Sequence, residues 1–269
     1  MIRFKRVYHS ILGWALLAIG RLISRVILHV NVLGAYNVPT DRPLIVISNH
    51  FSWFDAALIT LYLPFRPVFM IATETQRFWF VRLFMAAFQG IPVWRGGVDR
   101  KALRMALNML DSGQSIAIFP EGGIDPRRAA QRARGELVEE SVINDYSHNS
   151  RLDAQLTHAQ PGTAFLAIQS GVPILPVALI GTEQILNNLM RVRRTSVTVR
   201  IGRPFGPLVI DKSMGRQERR QQMDTMGDMI MLNIAELFPV ENRGPFRNVG
   251  RPDERAPRIK VQHNSQKAS

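Results

Sequence analysis

The chain has 269 residues, is 46% hydrophobic and carries a formal charge of +13. That length fits one domain with appendages, or at most two, and a balance this basic calls for an anionic partner such as a membrane surface, nucleic acid or phosphorylated small molecules. The absence of cysteine excludes disulfides, cysteine-ligated zinc and a thiol nucleophile.

Arg3, Lys5 and Arg6 precede an apolar run from Ile11 to Ile19. Arg21 and Arg25 then interrupt a second apolar set, Leu22, Ile23, Val26, Ile27 and Leu28. The i,i+4 spacing puts both arginines on one helix face. A spanning helix wants about 20 predominantly apolar residues, and no A-x-A cleavage site follows the run. The pattern predicts an amphipathic helical segment over 1–35 that lies in the membrane interface with its arginines toward anionic head groups. A tilted span with snorkelling arginines is one alternative, and a segment packed wholly on the domain or cleaved is the other.

From Pro39 short apolar runs alternate with helical patterns. The expected strands are Leu44–Ile47, Val68–Ala72, Ile91–Val93, Ser115–Phe119, Ile174–Ile180 and Val197–Ile201. Helices are expected over Phe54–Leu63, Gln76–Gln89, Arg100–Ser112, Thr163–Ser170 and Arg216–Phe238. This alternation predicts an α/β domain over 36–240, a mainly parallel or mixed sheet flanked by helices. Gly113 and Gly171 fall where helices must stop before strands. Ligands of such sheets sit at the carboxyl ends of strands, and both His50 and Glu121 fall just past one.

The first strand stops at Ser48-Asn49, His50 follows, and Asp55 comes five residues later as the next apolar stretch begins. One turn can then hold imidazole and carboxylate together, the carboxylate fixing the tautomer of a general base. A second reading stands beside it: Ser52 and Asp55 have the S-x-x-D spacing of a helix capping box. Ser52 is read as a cap rather than a nucleophile.

Between Asp125 and Gln160 the pattern breaks into Arg127, Arg128, Arg132 and Arg134, then Glu136, Glu139 and Glu140, then a polar stretch. This is a long inserted loop over 125–160, a lid or a disordered insertion, with few residues suited to a core. Residues 241–269 read as a basic disordered tail, either held to anionic lipid or simply solvated. The six histidines show no H-x-x-x-H or H-E-x-x-H spacing, so no metal site is expected. There is no P-loop, no G-x-G-x-x-G, and no G-x-S-x-G elbow of the kind a lipid hydrolase would need.

Asn49-His50 with Asp55, Gly90-Ile-Pro-Val-Trp-Arg95, Phe119-Pro-Glu-Gly122 and Val172-Pro-Ile-Leu-Pro-Val177 stand in one order along the chain. Together they resemble the four motifs of the glycerolipid acyltransferases, the lysophosphatidic acid acyltransferase family, over roughly residues 35–205. The resemblance implies a glycerol-3-phosphate acyltransferase-like fold and a membrane-associated O-acyltransferase at the cytoplasmic face. It would move a fatty acyl group from acyl-CoA or acyl carrier protein to 1-acyl-glycerol-3-phosphate, giving phosphatidic acid, with no cofactor and no nucleic-acid partner. It makes His50 the base and Asp55 its orienting acid, with the substrate's own hydroxyl as nucleophile. Asn49, Arg95, Glu121, Gly122, Pro173 and Pro176 become substrate-binding candidates. Of these, Arg95 would take the acceptor's phosphate, Glu121 would fix Arg95 or contact the glycerol, and the fourth block would shape the site near the donor. On its own residues that fourth block reads as a strand kept off sheet interiors by its prolines. The chain departs from the family after Phe-Pro-Glu-Gly. Gly123-Ile124-Asp125 stands where Thr-Arg-Ser is usual, which puts phosphate specificity in doubt. Another lyso-lipid, an amino-acid-derived lipid or glycerol-3-phosphate is therefore an alternative acceptor. A non-catalytic basic membrane-binding protein is the alternative of another class.

Overall fold

The computed structural model describes residues 2–95, 99–125, 127, 150–211, 213 and 215–248, with side chains from residue 13 onward. Its described strands form one sheet. In chain order they are β1 (Leu28–Leu33), β2 (Ile45–Ser48), β3 (Val68–Ala72), β4 (Ile91–Val93), β5 (Ile116–Ile118), β6 (Ile174–Ile180) and β7 (Thr195–Ile201), in spatial order β1-β7-β6-β2-β5-β3-β4. β2 to β6 run parallel to one another, β7 runs antiparallel to β6, and β1 pairs parallel with β7. The sheet is therefore mixed but mostly parallel.

Helices cover both faces, which is why β2 and β6 read as unbroken apolar runs. Alternate residues of β2 split between two cores. Ile45 and Ile47 join α4 (Arg100–Asp111), α5 (Pro161–Ser170) and α7 (Arg216–Ala235). Leu44 and Val46 join α2 (Asp55–Tyr62), α6 (Ile185–Met190) and the inner face of β1 and β7. α4 ends where Gly113 takes φ 82°, the Gln114 N–H donating to the Met109 carbonyl and the Gly113 N–H to that of Leu110, a Schellman cap. α3 (Trp79–Phe88) is shorter than expected because Thr73–Arg77 form a 3-10 turn and Phe78 is extended.

The N-terminal helix α1 (Ile2–Ile27) stops short of its expected end, and residues 28–33 form the edge strand β1. The period changes there from helical spacing to alternation: Leu28, Val30 and Val32 turn inward, while His29 and Asn31 are exposed. α1 packs on α2 and α3 through a narrow stripe of Gly13, Leu17, Gly20 and Ser24. A Cβ on Gly20 would meet Leu61 Cδ2 at 3.0 Å, so the stripe needs small residues for this approach. Trp14, Ile19, Leu22, Ile23 and Val26 face outward, Trp14 with 61% of its surface exposed. Among the described residues no helix is long and apolar enough to cross a membrane.

Three further expectations are revised. β6 is not kept off the sheet interior, since it lies between β2 and β7. Ile174 exchanges both backbone bonds with Phe205, so Pro176, two residues on, points its missing N–H to the same side. There β7 ends at Ile201 and the Gly202 N–H donates to the Pro176 carbonyl, so the missing N–H falls at the margin of the ladder. Most of the expected 125–160 loop lies outside the described residues, but its last part enters the core through buried Leu156 and Arg151. Residues 241–248 of the expected tail are also packed, with Phe246 buried. The remainder of that tail lies outside the described residues.

Candidate active site

β2 ends at Ser48, and the turn after it carries His50 to the carboxyl rim of the sheet. Asp55 opens α2, and its Oδ2 accepts from the backbone N–H of Phe51 at 2.7 Å and of Ser52 at 2.8 Å. An oxygen already taking two N–H donors is a carboxylate acceptor, so His50 Nδ1, 3.0 Å away, carries the proton and donates the third bond. Nε2 is left as the basic nitrogen. The imidazole stacks on Phe119, ring centroids 4.0 Å apart and planes 11° apart, and keeps 20% of its side chain exposed. One ring face is thus sealed while the ring stays accessible. The capping-box reading is not met: the N-cap of α2 is Phe54, with no side-chain cap bond, and only the Ser52 N–H to Asp55 half of the box is formed. Ser52 Oγ is buried and accepts only a long 3.4 Å bond from the Phe54 N–H.

The Phe-Pro-Glu-Gly turn lies under this pair. Glu121 Oε1 accepts the His50 backbone N–H at 3.0 Å. Its Oε2 pairs with Arg151 Nη1 and accepts from the Thr157 N–H at 3.2 Å and the Thr157 hydroxyl at 2.9 Å. Arg151, 3% exposed, also donates Nε to the Ile124 carbonyl at 2.9 Å and Nη2 to that of Gly123 at 2.8 Å. Glu121 is therefore a buried clamp on the His50 backbone and is not the partner of Arg95. Arg95 donates Nε to Glu74 Oε1 at 2.7 Å and Nη1 to the Gly122 carbonyl at 2.9 Å, which ties the second block to the third. Gly122 takes φ 79°, and a Cβ there would sit 2.7 Å from Gln160 Cγ. A left-handed turn pressed on Gln160 explains glycine at this position.

Three of the expected substrate contacts are scaffold. Asn49 is buried, and its side chain acts as one more rung of the sheet: Nδ2 donates to the Leu179 carbonyl at 2.9 Å and Oδ1 accepts the Leu179 N–H at 2.8 Å. Pro173 precedes β6 at its amino end, the opposite rim from His50, and its carbonyl accepts the Ile45 N–H. Pro176 is buried at the level of Ile47. Asp125, the departure from the family pattern, is buried and takes Arg127 Nη2 at 2.7 Å. Arg128 lies outside the described residues.

Beside the imidazole, Trp53 packs edge-on against Phe78 and Phe80. Phe80 also lines an apolar cavity of about 170 Å³ between α1, α2 and α3, with Leu17, Gly20, Ala57, Leu61 and Phe84. Ala57 and Leu61 lie two and six residues beyond Asp55, so at 1.5 Å per residue the cavity follows α2 away from the His–Asp pair.

Fold and rim together define an α/β domain that presents a His–Asp pair at the carboxyl end of a central parallel strand. Residues 29–180, more than half of the chain, match the family model described as Acyltransferase, and the chain belongs to that family. It is 23% identical over 233 residues to a 1-acyl-sn-glycerol-3-phosphate acyltransferase of Chlamydomonas reinhardtii, covering 84% of this chain and 57% of the relative. It is 28% identical over 155 residues to 1-acyl-sn-glycerol-3-phosphate acyltransferase alpha of Homo sapiens, covering 56% of this chain and 46% of the relative. The chain thus spans about half the length of the curated relatives it matches. Its fold is similar to the crystal structure of the 1-acyl-sn-glycerophosphate acyltransferase PlsC from Thermotoga maritima, at a TM-score of 0.53 and 24% identity, over 81% of this chain and 77% of that one.

Proposed function

We propose that this chain transfers a fatty acyl group from a thioester donor, acyl-CoA or acyl carrier protein, to the free hydroxyl of 1-acyl-glycerol-3-phosphate, forming phosphatidic acid. The observation that carries the reading is the His50–Asp55 bond of 3.0 Å at an accessible rim. Nε2 of His50 takes the hydroxyl proton as the acceptor oxygen attacks the thioester carbonyl carbon. The tetrahedral intermediate then collapses, the C–S bond breaks, and the imidazolium returns the proton to the departing thiolate. This is triad logic with the alcohol supplied by the substrate. The apolar cavity along α2, about 170 Å³, has room for a stretch of an acyl chain. Arg95, held by Glu74 beside the third-motif turn, is the guanidinium fork for the acceptor's phosphate.

Lipid mass spectrometry of products from the purified protein, given mixed lyso-lipids and mixed thioesters, tests the reading. Phosphatidic acid is expected, and absence of transfer to every lyso-acceptor refutes it. Arg95→Ala is expected to raise KM for the phosphate acceptor about 10–100-fold, the worth of a charged hydrogen bond, with a smaller change in kcat. Unchanged kinetics remove Arg95 from the site. A second acceptor, a lyso-lipid other than lysophosphatidic acid, is favoured by one observation. The arginine of the family pattern is absent, with Ile124 in its place, and the nearby Arg127 guanidinium is already bonded to Asp125. The same product panel separates the two acceptors.

The exposed apolar face of α1, with Arg21 and Arg25 also exposed, supports a place at the surface of an anionic membrane, on the cytoplasmic side where the thioester donors are made. Replacing Trp14, Leu22, Ile23 and Val26 together with Ser is expected to lower flotation with phosphatidylglycerol vesicles by roughly tenfold or more. Undiminished flotation would assign membrane contact to another surface.

A further inference from the structure

Beside the His50–Asp55 pair lies a buried polar corner that the transfer chemistry leaves unused. β6 ends at Ile180, and Gly181, at φ 90°, leads into a single 3-10 turn, Thr182–Gln184. A Cβ on Gly181 would sit 2.4 Å from the Ser196 carbonyl oxygen, so this turn is seated tightly against β7. The Asn49–Leu179 bonds lock β2 and β6 in register at the same rim, one turn of chain before Thr182 and just ahead of the His50–Asp55 turn.

Three buried oxygens here make no hydrogen bond: Asp55 Oδ1, Thr182 Oγ1 and Glu183 Oε2. Asp55 and Thr182 have no exposed surface, and Glu183 is 9% exposed. Buried oxygens are rarely left unpaired in native proteins, and these three are complementary. Asp55 Oδ1 is an acceptor in need of a donor. A hydroxyl can both give and take, and a carboxylic acid can give. We propose that Glu183 is a positioning residue whose carboxylic acid donates to Asp55 Oδ1, directly or through one enclosed water shared with Thr182, and so fixes the carboxylate that orients His50.

Two facing carboxyl groups do not both ionise. Burial first, and then the charge of Asp55, push the Glu183 carboxyl above its ordinary range, against the pull of its own backbone N–H and that of Gly181. The other charged groups around the corner are accounted for. His50 is on the β2–α2 turn, and Glu121 and Arg151 are paired with each other behind the His50 backbone. Arg200 of β7 donates to the Leu237 carbonyl, and α6 carries no ionisable side chain. A donor on Oδ1 draws negative charge away from Oδ2, so the imidazolium is stabilised less than a bare aspartate would stabilise it.

The catalytic role rests on the acyl-transfer reading, but the hydrogen bond does not, and two measurements keep them apart. The first is the pH profile of kcat/KM. Glu183→Gln keeps a donor, so its acid limb is expected to stay in place with activity within about threefold of the parent. Glu183→Ala loses the donor and is expected to lose roughly tenfold, with the acid limb moved up by about half a pH unit or more. The second measurement needs no substrate. A carboxyl raised in the folded chain keeps a proton that the unfolded chain has lost, so the parent loses stability relative to Glu183→Gln as pH rises past the ordinary glutamate range. The Tm gap between Glu183→Gln and the parent is therefore expected to widen from about pH 5 to about pH 8. An acid limb moved to lower pH in both variants would mean an ionised Glu183 and would overturn the proposal. A Tm gap that stays flat or narrows with pH would overturn it as well, even if Glu183→Ala fails to fold.

Discussion

His50→Ala is expected to lower kcat/KM for acyl transfer by about 10²–10⁴-fold, the usual worth of a positioned general base. The fold should tolerate the change, because the bonds that seat this turn are made by backbone N–H groups and by Asp55 and Glu121. Asp55→Asn should do comparable kinetic damage by a different route. Oδ2 accepts from His50 Nδ1 and from two backbone N–H groups. All three donors share one oxygen, and an uncharged amide either leaves its oxygen there as a weaker acceptor or turns its NH2 toward the imidazole, so the tautomer with a free basic Nε2 is no longer enforced. Circular dichroism and Tm of both variants should accompany the kinetics. His50→Ala that is folded and active within about tenfold of the parent would remove the base from its assigned role.

Arg151→Met should be the most destabilising single change at the site. It strands the Glu121 carboxylate with almost no exposed surface, keeping only the Thr157 and His50 donors, and frees the Gly123 and Ile124 carbonyls. Removing one member of a buried ion pair costs about 3–5 kcal/mol. At about 2–4 °C per kcal/mol for a domain of this size, Tm should fall by roughly 6–20 °C. Adding Glu121→Gln should restore part of the loss, because the uncompensated charge is what costs most. Protein that survives at low temperature should still show reduced kcat, since Glu121 Oε1 is what holds the His50 N–H. A Tm within a degree or two of the parent would show that the pair carries no structural weight.

His50 and Asp55 are five residues apart across one strand-to-helix turn, and that spacing already limits how far apart they can be. Glu74 and Glu183 carry the same signal that marks His50 and Glu121, a place just past a strand end. Glu74 lies two residues past the end of β3, and Glu183 three past the end of β6. Applying the strand-end rule to every strand would have found both. Arg151 gives no such signal, because it follows a long polar stretch and reads as one more surface arginine. Asn49 misled in the opposite direction. Its place beside His50 marks it as a site residue, yet its amide is consumed by a strand whose sequence position is 130 residues away.

The α/β alternation, most element boundaries and the His–Asp turn are legible in the chain alone. These depend on hydrophobic period, on helix stops such as Gly113 and Gly171, and on contacts a few residues apart. Only the tertiary structure decided that β7 reverses direction and draws β1 to the sheet edge. It also decided that Arg95 belongs to Glu74 and Glu121 to Arg151. Those outcomes are fixed by which strand ends meet on one rim, a matter of strand order and register that no local spacing carries.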